Sequence, residues 1–258
     1  MSLSLVLPAA GRGKRFQDAG IRTPKPLIRV GDFPMILWAL SNFSLESNDE
    51  VWIVCQREHS MESKLSEFTK NLNFSINYIH LESISDGPAS TLLLALNKVP
   101  IDLPIISANS DQYVVNNLVP FIELVRKRGG DGQILTMKAS GNAWSYVGRD
   151  ESGKIDQIVE KRQISEEATV GIYGWSSAGI VKDSIEQMIE RNERVNNEFY
   201  VAPSYNRLVQ SGKSIRTLDI GNHATQVNGL GTPEDLSNFI SRADFKYLNQ
   251  KVKLFLKI

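Results

Sequence analysis

The chain carries 1 cysteine, Cys55, in 258 residues. No internal disulfide can form, which agrees with a reducing compartment. Cys55 closes an apolar run and reads as a small packed residue rather than a nucleophile. The 3 histidines, His59, His80 and His223, are too scattered to form a ligand set. Neither charge sign is in excess: the formal net charge is +0, so bulk electrostatics argue against a nucleic-acid or acidic-membrane partner. No apolar run reaches bilayer-spanning length, and the N-terminus lacks the charged start and long apolar core of a signal peptide. A soluble, cytoplasmic protein is expected. Internal repeats, low-complexity segments and flexible linkers are also missing.

What is present is ordinary globular composition, 41% hydrophobic and 22% charged, enough for one large domain or two small ones. Leu3 to Leu7 reads as a buried strand. A basic, glycine-containing loop follows, Ala9-Ala10-Gly11-Arg12-Gly13-Lys14-Arg15, and then Pro24-Lys25-Pro26. Glycines just past a strand let the backbone approach a ligand and turn its N–H groups inward. The cations of the loop, with Lys25 between two prolines, describe a surface built to hold a polyphosphate. A dinucleotide fingerprint would need glycine where Phe16 stands. A Walker loop would need Ser or Thr after Gly13-Lys14, where Arg15 stands.

Helical spacing follows at Pro34 to Phe43, Met61 to Leu72 and Ala89 to Asn97. Strands are expected at Val51 to Cys55, Phe74 to Leu81 and Pro104 to Ala108. This alternation predicts a parallel sheet with helices on both faces. The glycine loop, the Asp86-Gly87 turn and the Ser110-Asp111 turn then fall at the carboxyl ends of strands, where such sheets bind ligands. After Val125 the pattern changes to short strands, at Ile134 to Lys138, Trp144 to Val147, Lys154 to Val159 and Ser214 to Ile220. Helices are expected at Val181 to Glu190, Tyr200 to Leu208 and Phe245 to Leu256, and after Thr232-Pro233. Asp111 follows the clear strand Pro104 to Ala108, at whose carboxyl edge a carboxylate can hold a hard ion such as Mg²⁺. Asp86-Gly87-Pro88 also suits a plain helix-starting turn.

The motif A-A-G-x-G-x-R followed by P-K-P-L resembles the signature of nucleotidyltransferases, the family of sugar-1-phosphate pyrophosphorylases and phosphocholine-type cytidylyltransferases. The resemblance implies an α/β, GT-A-like (Rossmann-like) mixed sheet flanked by helices. It implies a single nucleotidyltransferase domain over 1–258, with a nucleotide-binding half to about residue 125 and an acceptor-binding half from about 126. The implied reaction joins a nucleoside triphosphate, CTP or UTP ahead of the others, to a sugar phosphate or similar phosphomonoester. It would be Mg²⁺-dependent and would serve surface polysaccharide synthesis. A phosphocholine cytidylyltransferase, a GT-A glycosyltransferase and an inactive nucleotide-binding homologue are the alternatives. A homo-oligomer is compatible with all of them.

By the same resemblance Arg15 and Lys25 are catalytic cations. Ala9, Ala10, Gly11, Arg12, Gly13, Lys14, Arg15, Gly87 and Asn109 hold the nucleotide. Asp111 holds the metal, with Asn228 the nearest second candidate in a stretch that lacks the usual carboxylate. Glu160, Lys161, Gly174 in the glycine strand Gly171-Ile172-Tyr173-Gly174, and Glu198 meet the acceptor.

Overall fold

The computed structural model describes residues 1–258. The first strand, β1 (Ser4–Pro8), buries both faces: Leu5 and Leu7 enter one layer of the core and Val6 the other. A central parallel strand requires such a continuous apolar run. The chain continues through α1 (Lys14–Asp18), a small hairpin of β2 (Arg29–Val30) and β3 (Phe33–Pro34), and α2 (Met35–Leu40). All six residues of α2 are buried, so its apolar spacing runs all round and the helix is shorter than Pro34 to Phe43. Next come β4 (Glu50–Gln56), α3 (Met61–Thr69), β5 (Ser75–Leu81), α4 (Pro88–Leu96) and β6 (Ile105–Ala108). β5, β4, β1 and β6 lie side by side, all parallel, as the strand–helix alternation predicts.

The second half begins with β7 (Gln112–Val114) and α5 (Val119–Arg126). It continues into β8 (Gly132–Lys138), the hairpin of β9 (Ser145–Arg149) and β10 (Ile155–Glu160), and β11 (Glu167–Trp175). The motif reading places only Gly171 to Gly174 on a strand. β11 is in fact the longest strand and the hinge of the architecture. It runs antiparallel to β6, which carries one nine-stranded sheet through both halves of the chain. Along one edge β11 pairs with β8. Along the other, Ile172 to Trp175 pair with β6 and Ala168 pairs with β9. The change of partner falls at Gly171, whose φ of +84° puts it in the left-handed region.

α6 (Ala178–Glu190), α7 (Tyr205–Gln210), β12 (Ile215–Asn222), α8 (His223–Gln226), β13 (Val227–Gly229), α9 (Pro233–Ile240) and α10 (Phe245–Leu256) complete the chain. α7 starts later than Tyr200 because a 3₁₀ turn containing Pro203, Ala202–Ser204, precedes it. Thr232 caps α9 as expected, its Oγ1 accepting from the Asp235 N–H at 3.0 Å. α4, α6 and α7 cover one face of the sheet, and α2, α5, α9 and α10 the other. The fold is thus a mixed α/β sheet flanked by helices. No helix is long and apolar enough to cross a membrane. Cys55 is fully buried, and burial pushes its thiol up to about 11, which keeps it protonated and inert.

Candidate active site

Three loops leave the carboxyl ends of β1, β5 and β6 and meet over one cleft. The loop after β1 is anchored at its root, where Ala9 N–H donates to Val54 O at 2.7 Å and Gln56 Nε2 to Ala10 O at 2.8 Å. Beyond that root the N–H groups of Ala10, Gly11, Arg12 and Gly13 donate to no backbone carbonyl. They remain available to an anion. Gly13 has a φ of +64°, and a Cβ there would lie 2.9 Å from Lys25 Cβ. Glycine at this position therefore lets the loop close over the Pro-Lys-Pro segment.

Lys25 reaches Asp111, and the two form an ion pair. Asp111 is set by its neighbours: Ser110 Oγ donates to Pro8 O at 3.1 Å, and Leu230 N–H donates to Asp111 O at 2.8 Å. Gly231 completes the group, since a Cβ there would sit 2.9 Å from Asp111 Oδ2 and 3.7 Å from Lys25 Nζ. Residues 25, 111 and 231, far apart in the chain, are thus brought to one point.

Three cavities open along the cleft, and Asp111 and Gly231 line one of them. One, of about 660 Å³, lies between the glycine loop and the Asp86-Gly87 turn; Glu198 lines it too. A second, of about 750 Å³, is lined by Arg15, Asn109, Asp111, Lys161 and Asn228. A third, of about 200 Å³, holds Asn109, Glu160 and Lys161. Two of the predicted residues are not brought to the cleft. Ala9 is 2% exposed and lies beneath the loop. Gly174 faces the core, where a Cβ would meet Val125 Cγ2 at 2.3 Å. The glycine of β11 that reaches the cleft is Gly171, which the motif match passed over.

Glu198 stands beside the glycine loop because its segment is hydrogen-bonded to the Asp86-Gly87 turn. Phe199 N–H donates to Asp86 O at 2.8 Å, and Ala89 N–H donates to Phe199 O at 2.9 Å. Arg194 adds an ion pair to Asp86 at 2.9 Å. Gly87, with φ +116°, would place a Cβ 2.7 Å from Phe199 O. Packing alone therefore demands glycine at 87. Gly87→Ala is expected to destabilise the fold by about 2–3 kcal/mol. Urea unfolding measures this, and an unchanged midpoint would leave ligand contact as the reason for the glycine.

On the other side the polar groups interlock. Lys161 bonds the Tyr200 hydroxyl, and Ser145 bonds Glu160. Burial pushes the Glu160 carboxyl above its ordinary range, and the charge of Glu198 adds to this against the Ser145 hydrogen bond and Lys161. Burial likewise raises the Tyr173 and Tyr200 phenols, which stay protonated at neutral pH.

The donor set limits how a metal could be held. No three of His, Cys, Asp and Glu gather anywhere. Asp111 offers a single carboxylate, and Asn228 Oδ1 already accepts from Arg242 Nη1 at 3.2 Å. This fits Mg²⁺ shared with substrate phosphates and water, with Asp111 as the main protein ligand. It does not fit an ion caged by protein alone.

The nucleotidyl transferase family model matches residues 4–224. The chain belongs to that family. Mannose-1-phosphate guanylyltransferase catalytic subunit beta of Drosophila melanogaster is 29% identical over 188 residues, 68% of this chain and 48% of that protein. The bifunctional protein GlmU of Caldicellulosiruptor saccharolyticus is 24% identical over 261 residues, 94% of this chain and 52% of that protein. The chain thus spans about half the length of the curated relatives it matches. A solved nucleoside-diphosphate-sugar pyrophosphorylase from Vibrio cholerae RC9 superposes with a TM-score of 0.75 at 23% identity. The match covers 92% of this chain and all of that one, and shows the shared fold.

Proposed function

We propose that this chain transfers a nucleotidyl group from a nucleoside triphosphate to a sugar phosphate, releasing pyrophosphate, with Mg²⁺ as cofactor. The observation that carries the reading is the Lys25–Asp111 pair: Lys25 packs against Gly13 of the glycine loop, and Asp111 lines the cavity that also holds Arg15, Asn109 and Lys161. The triphosphate occupies the first half, to about residue 125, and the acceptor mainly the second.

An oxygen of the acceptor phosphate attacks the α-phosphorus, a new P–O bond forms, and the bond to the pyrophosphate oxygen breaks. No general base is required, because the attacking monoester is already ionised. The protein's task is to align two anions and offset their repulsion. The free N–H groups of residues 10–13 and Arg15 meet the phosphates that leave. In the free protein Lys25 and Asp111 neutralise each other. Asp111 would hold Mg²⁺, which would supply Lewis-acid stabilisation of phosphate charge, and Lys25, released from the pair, would meet charge growing at the α-phosphorus. Lys161 faces the acceptor phosphate.

The test is pyrophosphate release across the four common triphosphates and a panel of sugar phosphates, with and without EDTA. CTP and UTP are the donors put first; GTP is the competitor that the Drosophila relative's name supplies. Lys25→Ala is expected to lower kcat about a hundredfold, the loss typical of one charge-assisted contact made in the transition state. A normal kcat with only a raised KM for triphosphate would make Lys25 a binding residue.

A further inference from the structure

The outer strands of the nine-stranded sheet are β5, β10 and β12. An outer strand offers unpaired N–H and C=O groups to any other chain, and folded proteins blunt such edges with charge, bulges or cover. β10 is blunted in all of these ways. Its register shifts between Ile155 and Gln157, and Asp156 stands exposed on it. Asn206 covers its edge, accepting from Ile158 N–H at 2.7 Å and donating to Ile158 O at 2.9 Å. β12 shifts register between Asp219 and Asn222 and exposes Arg216 and Asp219. β5, Ser75-Ile76-Asn77-Tyr78-Ile79-His80-Leu81, has none of these protections. It pairs with β4 along its whole length without a break. Beyond that ladder its backbone bonds to no other backbone group. It contains no proline and no Asp, Glu, Lys or Arg, and none of its residues is buried. Ile76 and Tyr78 pack partly on one core layer, and Ile79 and Leu81 on the other. Both faces of this edge are therefore half-open and largely apolar.

We propose that β5 is a dimer edge: a second copy of this chain adds its own β5 antiparallel about a two-fold axis at Tyr78, and one sheet continues through both subunits. Two copies of one edge meet about a two-fold axis, so the residue at the axis faces itself. With Tyr78 there, Ile76 meets His80, Asn77 meets Ile79 and Ser75 meets Leu81. Tyr78 and His80 already stack, with ring centroids 6.4 Å apart and planes at 7°. The axis extends this stack into one row of rings across the interface, and such cross-strand pairs stabilise antiparallel sheet. The charges around the strand argue for a second copy rather than an unrelated strand. At the carboxyl end of β5 the exposed Glu58, Glu62 and Glu82 outnumber Arg57, which pairs with Glu82 at 2.5 Å. At the other end Lys70 closes α3, and Asn71 Nδ2 donates to Lys257 O at 2.8 Å, which brings a second exposed lysine. Antiparallel self-pairing sets each acidic end against the basic end of the other copy. The net charge of +0 leaves no overall repulsion between copies.

Light scattering and sedimentation over a concentration series make the test. The wild type is expected to reach twice the chain mass, and amide exchange in residues 75–81 is expected to be slower in concentrated than in dilute protein. Asn77→Lys sets a lysine against Ile79 of the other copy on both sides of the axis. It is expected to raise the dimer Kd about tenfold or more. Asn77 is half-exposed, so the variant should fold, which circular dichroism checks. Glu82→Lys tests the ends through a fully exposed residue. It should also weaken the dimer, and adding Lys70→Glu should restore it. A wild type that stays monomeric at every concentration overturns the proposal and leaves the edge to a strand from a different chain. A dimer that neither Asn77→Lys nor Glu82→Lys weakens, or one that forms without slowing exchange in β5, overturns it as well.

Discussion

Asp111→Ala is expected to lower turnover about a thousandfold while the protein stays folded. Asp111 lines the 750 Å³ cavity and pairs with Lys25, and it has two functions there in the proposed reaction. It places Mg²⁺ against the triphosphate, and in the free protein it holds Lys25 in position. Loss of a metal's charge stabilisation is worth several kcal/mol, and about 4 kcal/mol is a thousandfold in rate. The fold should survive because the side chain is partly exposed and the hydrogen bonds that set the loop use backbone atoms of Asp111 and the Ser110 hydroxyl. Asp111→Asn separates the two functions: it keeps the shape and a weak hold on Lys25 but loses the anionic ligand. Pyrophosphate release at saturating substrates, read beside thermal unfolding, makes the measurement. A variant that turns over like wild type would remove Asp111 from the chemistry.

Asp49→Ala is expected to cost about 3–5 kcal/mol of stability, the range for breaking a buried ion pair by removing one partner. Asp49 is 1% exposed and accepts four hydrogen bonds. They come from Leu3 N–H and Glu46 N–H, both at 2.8 Å, and from Arg126 Nη1 and Nη2 at 3.0 and 2.8 Å. It joins the start of β1 to α5. Truncation leaves two N–H groups and a nearly buried guanidinium without their partner, and Glu46 and Glu123, each 3.6 Å from Arg126, only partly replace it. In a chain of this size the loss corresponds to a fall of about 10 °C in Tm. Denaturant unfolding checks the value. Asp49→Leu combined with Arg126→Met should recover part of it, because the pair is replaced rather than broken. A change below about 1 kcal/mol would show that water reaches the pair.

The glycine loop, Lys25 and Asp111 were legible in the chain because each depends on a short stretch. A strand ends, glycines free the backbone, and charged residues follow within a few positions. The parallel half was legible for a related reason. Strands buried on both faces are continuous apolar runs, and the helices between them carry a regular apolar period. Thr232 could be read as a cap because capping is a contact over three residues.

The acceptor side was not legible to the same degree, since its residues are defined by partners far away in sequence. Gly171 and Gly174 lie three residues apart on one strand and are alike in sequence. Only the switch of β11 from β6 to β9 decides that one opens the cleft and the other packs against Val125. Glu198 lines the glycine-loop cavity because backbone hydrogen bonds tie Phe199 to the 86–89 turn, while its charge still reaches Glu160; neither relation is written in the local sequence. By itself the sequence determined the family, the α/β class and the glycine loop past β1, all of which follow from local spacing. The tertiary structure alone decided which groups line each cavity, because strand pairing across the sheet sets them and no local pattern records it.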